Sequence, residues 1–178
     1  DELGMVKAFR EQDQTTPVVL MGYLNPVEVI GYEKFVAYAK DCGVDGVLLV
    51  DLPPEASQQL GEVLKKNGMD QIFLLAPTST DQRIQHVVNQ ASGFVYYVSL
   101  KGVTGAATLD TAEAAARIAK IKSKTSVPVG VGFGISDAAS AKAMGQVADA
   151  VIVGSAFVKS FATLPAVEAV QQTVNKVK

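Results

Sequence analysis

Apolar residues along this chain gather into six short, nearly unbroken runs, at Val18–Tyr23, Val47–Leu52, Ile72–Ala76, Phe94–Ser99, Val129–Phe133 and Val151–Gly154. Runs without polar alternation are the mark of strands buried on both faces in a parallel sheet. Between them lie stretches with apolar residues at i, i+3 and i+4, which predict helices over Tyr32–Lys40, Pro54–Asn67, Asp81–Gln90, Leu109–Lys122 and Asp137–Gly145. A further helical pattern, Glu2–Gln12, precedes the first run. Helix stops are expected at Gly43, at Asn67-Gly68 and at Gly145, and N-caps at Thr80 and Ser136.

Strand and helix therefore alternate, and two units echo each other. Gly43-Val44-Asp45-Gly46-Val47-Leu48-Leu49-Val50 is similar to Gln146-Val147-Ala148-Asp149-Ala150-Val151-Ile152-Val153. A repeated βα unit places the chain in the α/β class. A closed TIM (β/α)8 barrel has eight strands and typically about 250 residues. With six strands in 178 residues, the shortfall of roughly 70 matches one β-α-β segment on the same scale. The expectation is one domain over 1–178, the C-terminal three quarters of such a barrel, entered at its second helix. An open doubly wound sheet fits less well, because its Gly-rich dinucleotide turn is missing. The first run ends instead in Gly22-Tyr23-Leu24-Asn25-Pro26.

Charge and composition narrow the partners. With 48% hydrophobic residues, a net charge of −2 and no basic runs, the chain offers little to nucleic acid or to an anionic membrane. No apolar stretch approaches the roughly 20 residues of a bilayer span, and no signal peptide is apparent. The lone Cys42 excludes an internal disulfide framework, which fits a cytoplasmic protein, and one Cys with one His makes a poor metal set.

Chemistry in a barrel is built at strand C-termini. Two motifs there point to an anion: Gly132-Phe133-Gly134 and Gly154-Ser155, each after a β-branched run and each before a helical stretch. Glycines admit an anion close to bare backbone N–H groups, and a helix start adds partial positive charge. A phosphorylated small molecule is the expected substrate class, although the same glycines also suit plain tight turns. Asp51 is the one acidic residue at a strand end; it reads either as a general base or as a carboxylate that positions a loop.

Taken together, Leu20–Pro26, Gly46–Pro53, Tyr96–Gly105, Gly130–Ser136 and Val153–Ala156 come in the order and spacing of the tryptophan synthase alpha subunit family, which the chain resembles from its first run to its last. The loop Gly102-Val103-Thr104-Gly105 is the most diagnostic piece; the glycine motifs alone are shared with many phosphate-binding barrels. The resemblance implies retro-aldol cleavage of indole-3-glycerol phosphate to indole and glyceraldehyde 3-phosphate. It also implies a beta-subunit partner in an alpha2beta2 assembly, with PLP carried by that partner and no cofactor or metal in this chain. The family's catalytic Glu and Asp fall in a part this chain lacks, so no residue here takes a catalytic role.

By the same resemblance, Gly105, Gly134 and Ser155 would offer backbone N–H groups to the phosphate, with Gly132 and Gly154 shaping the turns. Tyr23, Leu48 and Val50 would line the indole pocket, Tyr96 would reach the substrate, and Thr104 would sit in a lid loop. For both tyrosines ordinary barrel packing is the competing reading. Asn25, Pro26, Asp51 and Pro53 would face the beta subunit. Leu100 and Lys101 stand where some relatives carry an Arg and a small residue, so no anchoring charge is assigned there. His86, Cys42 and the lysines Lys65, Lys66, Lys120, Lys122 and Lys124 read as surface or packing residues. Two other readings stay in view: a different phosphate-sugar isomerase or epimerase, and a non-catalytic module that only binds phosphate or a partner.

Overall fold

The computed structural model describes residues 2–98, 111–132, 135 and 137–178. The chain divides into two compact units, Asp1–Leu74 with Gln85–Phe94, and Leu75–Ile84 with Val95–Lys178. In the first, the order is α1 (Glu2–Arg10), β1 (Val19–Gly22), α2 (Leu24–Ile30), α3 (Tyr32–Cys42), β2 (Gly46–Leu49), a 3-10 turn over Pro54–Ala56, α4 (Gln58–Lys66) and β3 (Asp70–Gln71). The strands form a parallel sheet in the order β1-β2-β3. Val47 of β2, with Leu20 and Leu49, turns to a core built with Val36, Ala39, Leu60 and Leu64 of the helices. Their period-2 neighbours Met21 and Leu48, partners in the register, take the opposite face.

Then come β4 (Phe73–Leu75) and α5 (Asp81–Gln90), each divided between the units. The second unit continues with β5 (Val95–Val98), α6 (Thr111–Lys122), β6 (Val129–Gly132), α7 (Ala138–Gly145), β7 (Ala150–Ile152), α8 (Ser155–Phe161) and α9 (Ala166–Val177). The sheet order is β4-β5-β6-β7, with β5–β6 and β6–β7 parallel. Val95, Tyr97, Val129 and Val131 are each at most 1% exposed, so the layers bury the runs of β5 and β6. In contrast β1, with Met21 61% exposed, and β7 are not buried on both faces as their runs predicted.

The helix punctuation follows the residues. Gly43 ends α3 in the left-handed region (φ 92°), its N–H bonded to Ala39 and Lys40 carbonyls, and Gly68 after α4 has φ 66°. The Thr80 hydroxyl accepts from Arg83 N–H at 3.2 Å, capping α5 as expected. For α7 the cap is Asp137 rather than Ser136. Its carboxylate accepts from Ser140 N–H at 2.8 Å in a capping box, a geometry open only to the residue directly before Ala138.

Three elements depart from the expectation. Helix α2 replaces a predicted loop: Pro26 falls in its first turn, where the missing N–H costs nothing, and Gly31 (φ 87°) separates it from α3. The helix expected over Pro54–Asn67 is interrupted at Ser57, which is fully buried and bonds Pro54 O at 2.8 Å and Gln90 Oε1 at 2.6 Å. A two-residue strand, β3, precedes the third apolar run, making seven strands among the described residues instead of six. β3 pairs with β2, while β4, which is the run itself, neighbours β5.

A carboxylate sets the register of two strand pairs in the same way. Asp45 donates its N–H to Val18 O (2.9 Å) and accepts Val18 N–H on Oδ2 (2.8 Å), while Arg10 Nη2 reaches that oxygen at 2.7 Å. Asp149 repeats the arrangement, donating to Val129 O (2.9 Å) and accepting Val129 N–H (2.9 Å), with Lys122 Nζ at 2.6 Å. The sequence echo thus superposes Asp45 on Asp149. Lys122 and Lys120, the latter paired with Asp81, hold ion pairs as well as favouring their helix end. The Lys122 hydrogen bond, then the Val129 amide, holds the Asp149 carboxyl below its ordinary range. A depressed folded value contributes stability above the unfolded one and loses it as pH falls through the folded one. Asp149→Asn should therefore lower the urea midpoint at neutral pH, and the gap to wild type should close as pH drops below about 4. A gap that stays constant down to about pH 2 would count against the carboxylate's role.

Candidate functional site

The described part of the phosphate region lies at the C-terminal ends of β6 and β7. Their last paired residues are Gly132 and Ile152, so both strands stop at one level, and Gly154 and Ser155 follow two and three residues later. Gly154 precedes α8 and Ser155 opens it; both are exposed. The first N–H groups of such a helix have no acceptor within it. Gly105, Gly134 and Thr104 lie outside the described residues.

The two glycines that read alike in sequence do different work. On β6, Val129 and Val131 point to the helices, while Gly130 and Gly132 line the face shared with Tyr96 and Val98. A Cβ on Gly132 would fall on the Tyr96 phenol, 2.7 Å from Cε2 and 2.9 Å from Cζ. Gly132 is thus required by the tyrosine ring packed over it. Among the described residues, a Cβ on Gly154 would meet nothing within 4 Å. Burial raises the Tyr96 hydroxyl above its ordinary pKa, keeping it protonated and able to donate a hydrogen bond. The Val-Gly-Val-Gly alternation could have shown from sequence that one face of β6 is bare; that Tyr96 fills it follows from the strand pairing.

In the first unit, Leu48 is 2% exposed on the sheet face turned from the helices, with Val50 next on that face, its N–H bonded to Gly22 O at 3.0 Å. Tyr23 extends β1 on the same side and is 68% exposed. The structure thus brings Tyr23, Leu48 and Val50 together.

Asp51 does not stand alone at its strand end. Its Oδ1 accepts the N–H of Leu24, the first residue of α2, at 2.7 Å. That is a helix-capping, loop-positioning bond, made across 27 residues of sequence to the segment bearing Asn25 and Pro26. Both are exposed, as is Pro53, which precedes the 3-10 turn. Sequence reasoning missed Val29 and Ile30, 80% and 50% exposed on α2; two consecutive β-branched residues before Gly31 were the available signal.

The remaining candidates have structural partners. His86 Nδ1 lies 3.0 Å from Glu55 Oε1, and Cys42 is fully buried at the end of α3. Among the described residues no group of His, Cys, Asp and Glu could hold a metal ion, and no helix is long and apolar enough to cross a membrane.

Comparison with known proteins places this geometry in a family. The family model described as tryptophan synthase alpha chain matches residues 1–178. The tryptophan synthase alpha chain of Acinetobacter baumannii is 85% identical over all of this chain and 67% of its own length, and that of Acinetobacter baylyi 82% identical with the same coverage. A chain of the tryptophan synthase a2b2 complex of Pyrococcus furiosus superposes with a TM-score of 0.90 at 36% identity, over 98% of this chain and 71% of that one. The alpha chain of Legionella pneumophila gives 0.85 at 38% identity, over 98% and 66%. The chain thus spans about two thirds of the length of the relatives it matches.

The Gly132 contact yields a direct expectation. Gly132→Ala should push the Tyr96 ring aside and cost about 1–3 kcal/mol of stability by overpacking. Because the obstacle is a side-chain tip, Tyr96→Leu in the same chain should recover most of that loss in a thermal melt. Equal destabilisation of the single and double variants would show that the ring is not what Gly132 accommodates.

Proposed function

This chain belongs to the tryptophan synthase alpha chain family, and we propose that the full-length protein cleaves indole-3-glycerol phosphate to indole and glyceraldehyde 3-phosphate. The observation that carries this reading is the 85% identity to an alpha chain along every residue present. In the reaction, indole C3 gains a proton as its bond to the side chain breaks. The adjacent side-chain hydroxyl loses its proton and becomes the aldehyde carbonyl. Such a step calls for a general acid and base. The family's Glu and Asp would supply them from outside these residues, with this chain as the C-terminal three quarters of one barrel domain.

The residues present would form the binding half. Gly154 and Ser155 would cradle the phosphate with Gly105 and Gly134. Tyr23, Leu48 and Val50 would flank the indole ring, and the protonated Tyr96 hydroxyl would donate towards the substrate. Support comes from the open approach to Gly154, which no described residue fills, and from the common face of Tyr23, Leu48 and Val50. Thr104 would lie in the closing loop, excluding water during the reaction. The beta subunit, which would carry the PLP, is proposed to dock on Asn25, Pro26, Asp51 and Pro53. The exposed Val29 and Ile30 beside them, and the a2b2 assembly of the Pyrococcus furiosus relative, support that placement. No observation favours another phosphate-sugar isomerase or a non-catalytic module.

In the full-length protein, Ser155→Ala and Gly154→Ala should each raise KM for the phosphate-bearing substrate by about three- to tenfold. Removing a uniform binding contact leaves kcat near wild type. Indole release measured across substrate concentrations checks this. Unchanged KM in both variants would overturn the phosphate assignment, and absence of indole release from wild type would overturn the reaction.

A further inference from the structure

The contact between α8 and α9 is closed by a hydroxyl pair. Thr173 is 2% exposed, one of two buried residues of α9 beside Ala169, in a helix whose other inward positions are apolar. A hydroxyl buried there costs stability unless it is bonded. Thr173 Oγ1 lies 2.8 Å from Ser160 Oγ on α8, and Ser160 Oγ also donates to Ala156 O at 3.1 Å. A serine hydroxyl has one proton. Since that proton goes to Ala156, Thr173 is the donor and Ser160 the acceptor. The result is a directed chain, Thr173 O–H to Ser160 O–H to the Ala156 carbonyl, which ends in the first turn of α8, on the residue after Ser155. Bonds linked in this way polarise and strengthen one another.

The geometry points to Thr173 as a positioning residue for phosphate binding: through Ser160 it fixes the first turn of α8 and so the placement of the Gly154-Ser155 backbone. It touches no substrate, and its role rests on the proposed reading of Gly154-Ser155 as the phosphate loop. Thr173→Val keeps the shape and removes the donor, and Thr173→Ser restores it.

The test compares two probes on the full-length protein by calorimetry, glycerol 3-phosphate and indole. Thr173→Val should weaken glycerol 3-phosphate by about three- to tenfold, leave indole unchanged, and recover in Thr173→Ser. Wild-type affinity for glycerol 3-phosphate in Thr173→Val, or equal weakening of both probes, would overturn the inference. Should Thr173→Val not fold, Ser160→Ala breaks the chain at its middle and must show the same split between the probes. Ser155→Ala is the control: if it leaves glycerol 3-phosphate binding intact, the phosphate reading itself fails, whereas loss in Ser155→Ala without loss in Thr173→Val defeats only the positioning role.

Discussion

Parallel strands have no hairpin to fix how they align, and a one-residue slip turns every side chain to the wrong face. Here an aspartate directly before a strand answers that need twice. Asp45 and Asp149 each trade two hydrogen bonds with the residue facing them on the neighbouring strand, Val18 and Val129, and each is held by a cation from the helix that precedes that neighbouring strand. The bond sits at the strand's start, but its consequence appears at the other end. Once Val18 and Val129 are locked, Gly22 lies opposite Leu49 and Gly132 opposite Ile152. The loops bearing Tyr23, Asp51, Gly154 and Ser155 then leave at defined levels.

From that register follows a division of labour among small residues. Gly130 and Gly132 leave one face of β6 bare, and Tyr96 occupies the space. Gly154 leaves space that no described side chain fills. A glycine that admits a protein ring and one proposed to admit a ligand look the same as letters. They differ only in what stands opposite, which the strand pairing decides.

Buried polar groups tie the helical layer down in a similar manner. Ser57 breaks a helix and bonds Pro54 and Gln90, while Thr173 joins α9 to α8 through Ser160. Each lies at a place where apolar packing alone would hold two elements together without fixing their angle. A hydrogen bond is directional, so it specifies orientation where hydrophobic burial does not. Asp51, bonded to the start of α2, serves the surface proposed to meet a partner in the same way.

Local rules made much of this protein legible from its residues. Strand runs, helix spacing, the Gly43 and Thr80 boundaries and the α/β class depend on neighbours within a few positions, where sterics and periodicity act directly. The family motifs, carried in unbroken order, were legible for the same reason. What the tertiary structure alone decided involves partners far apart in the chain: the extra strand β3 paired with β2, the interruption at Ser57 by Gln90, the cap that Asp51 lends α2, and the ring that Gly132 accommodates. Helix α2 and the Asp137 cap were local, yet Asn-Pro and adjacent Ser-Asp each allow two solutions of nearly equal propensity. Propensity differences of a few tenths of a kcal/mol settle nothing against contacts worth several times more, so α2 was settled when the fold brought Asp51 to Leu24, and the α7 cap by the reciprocal bonds with Ser140.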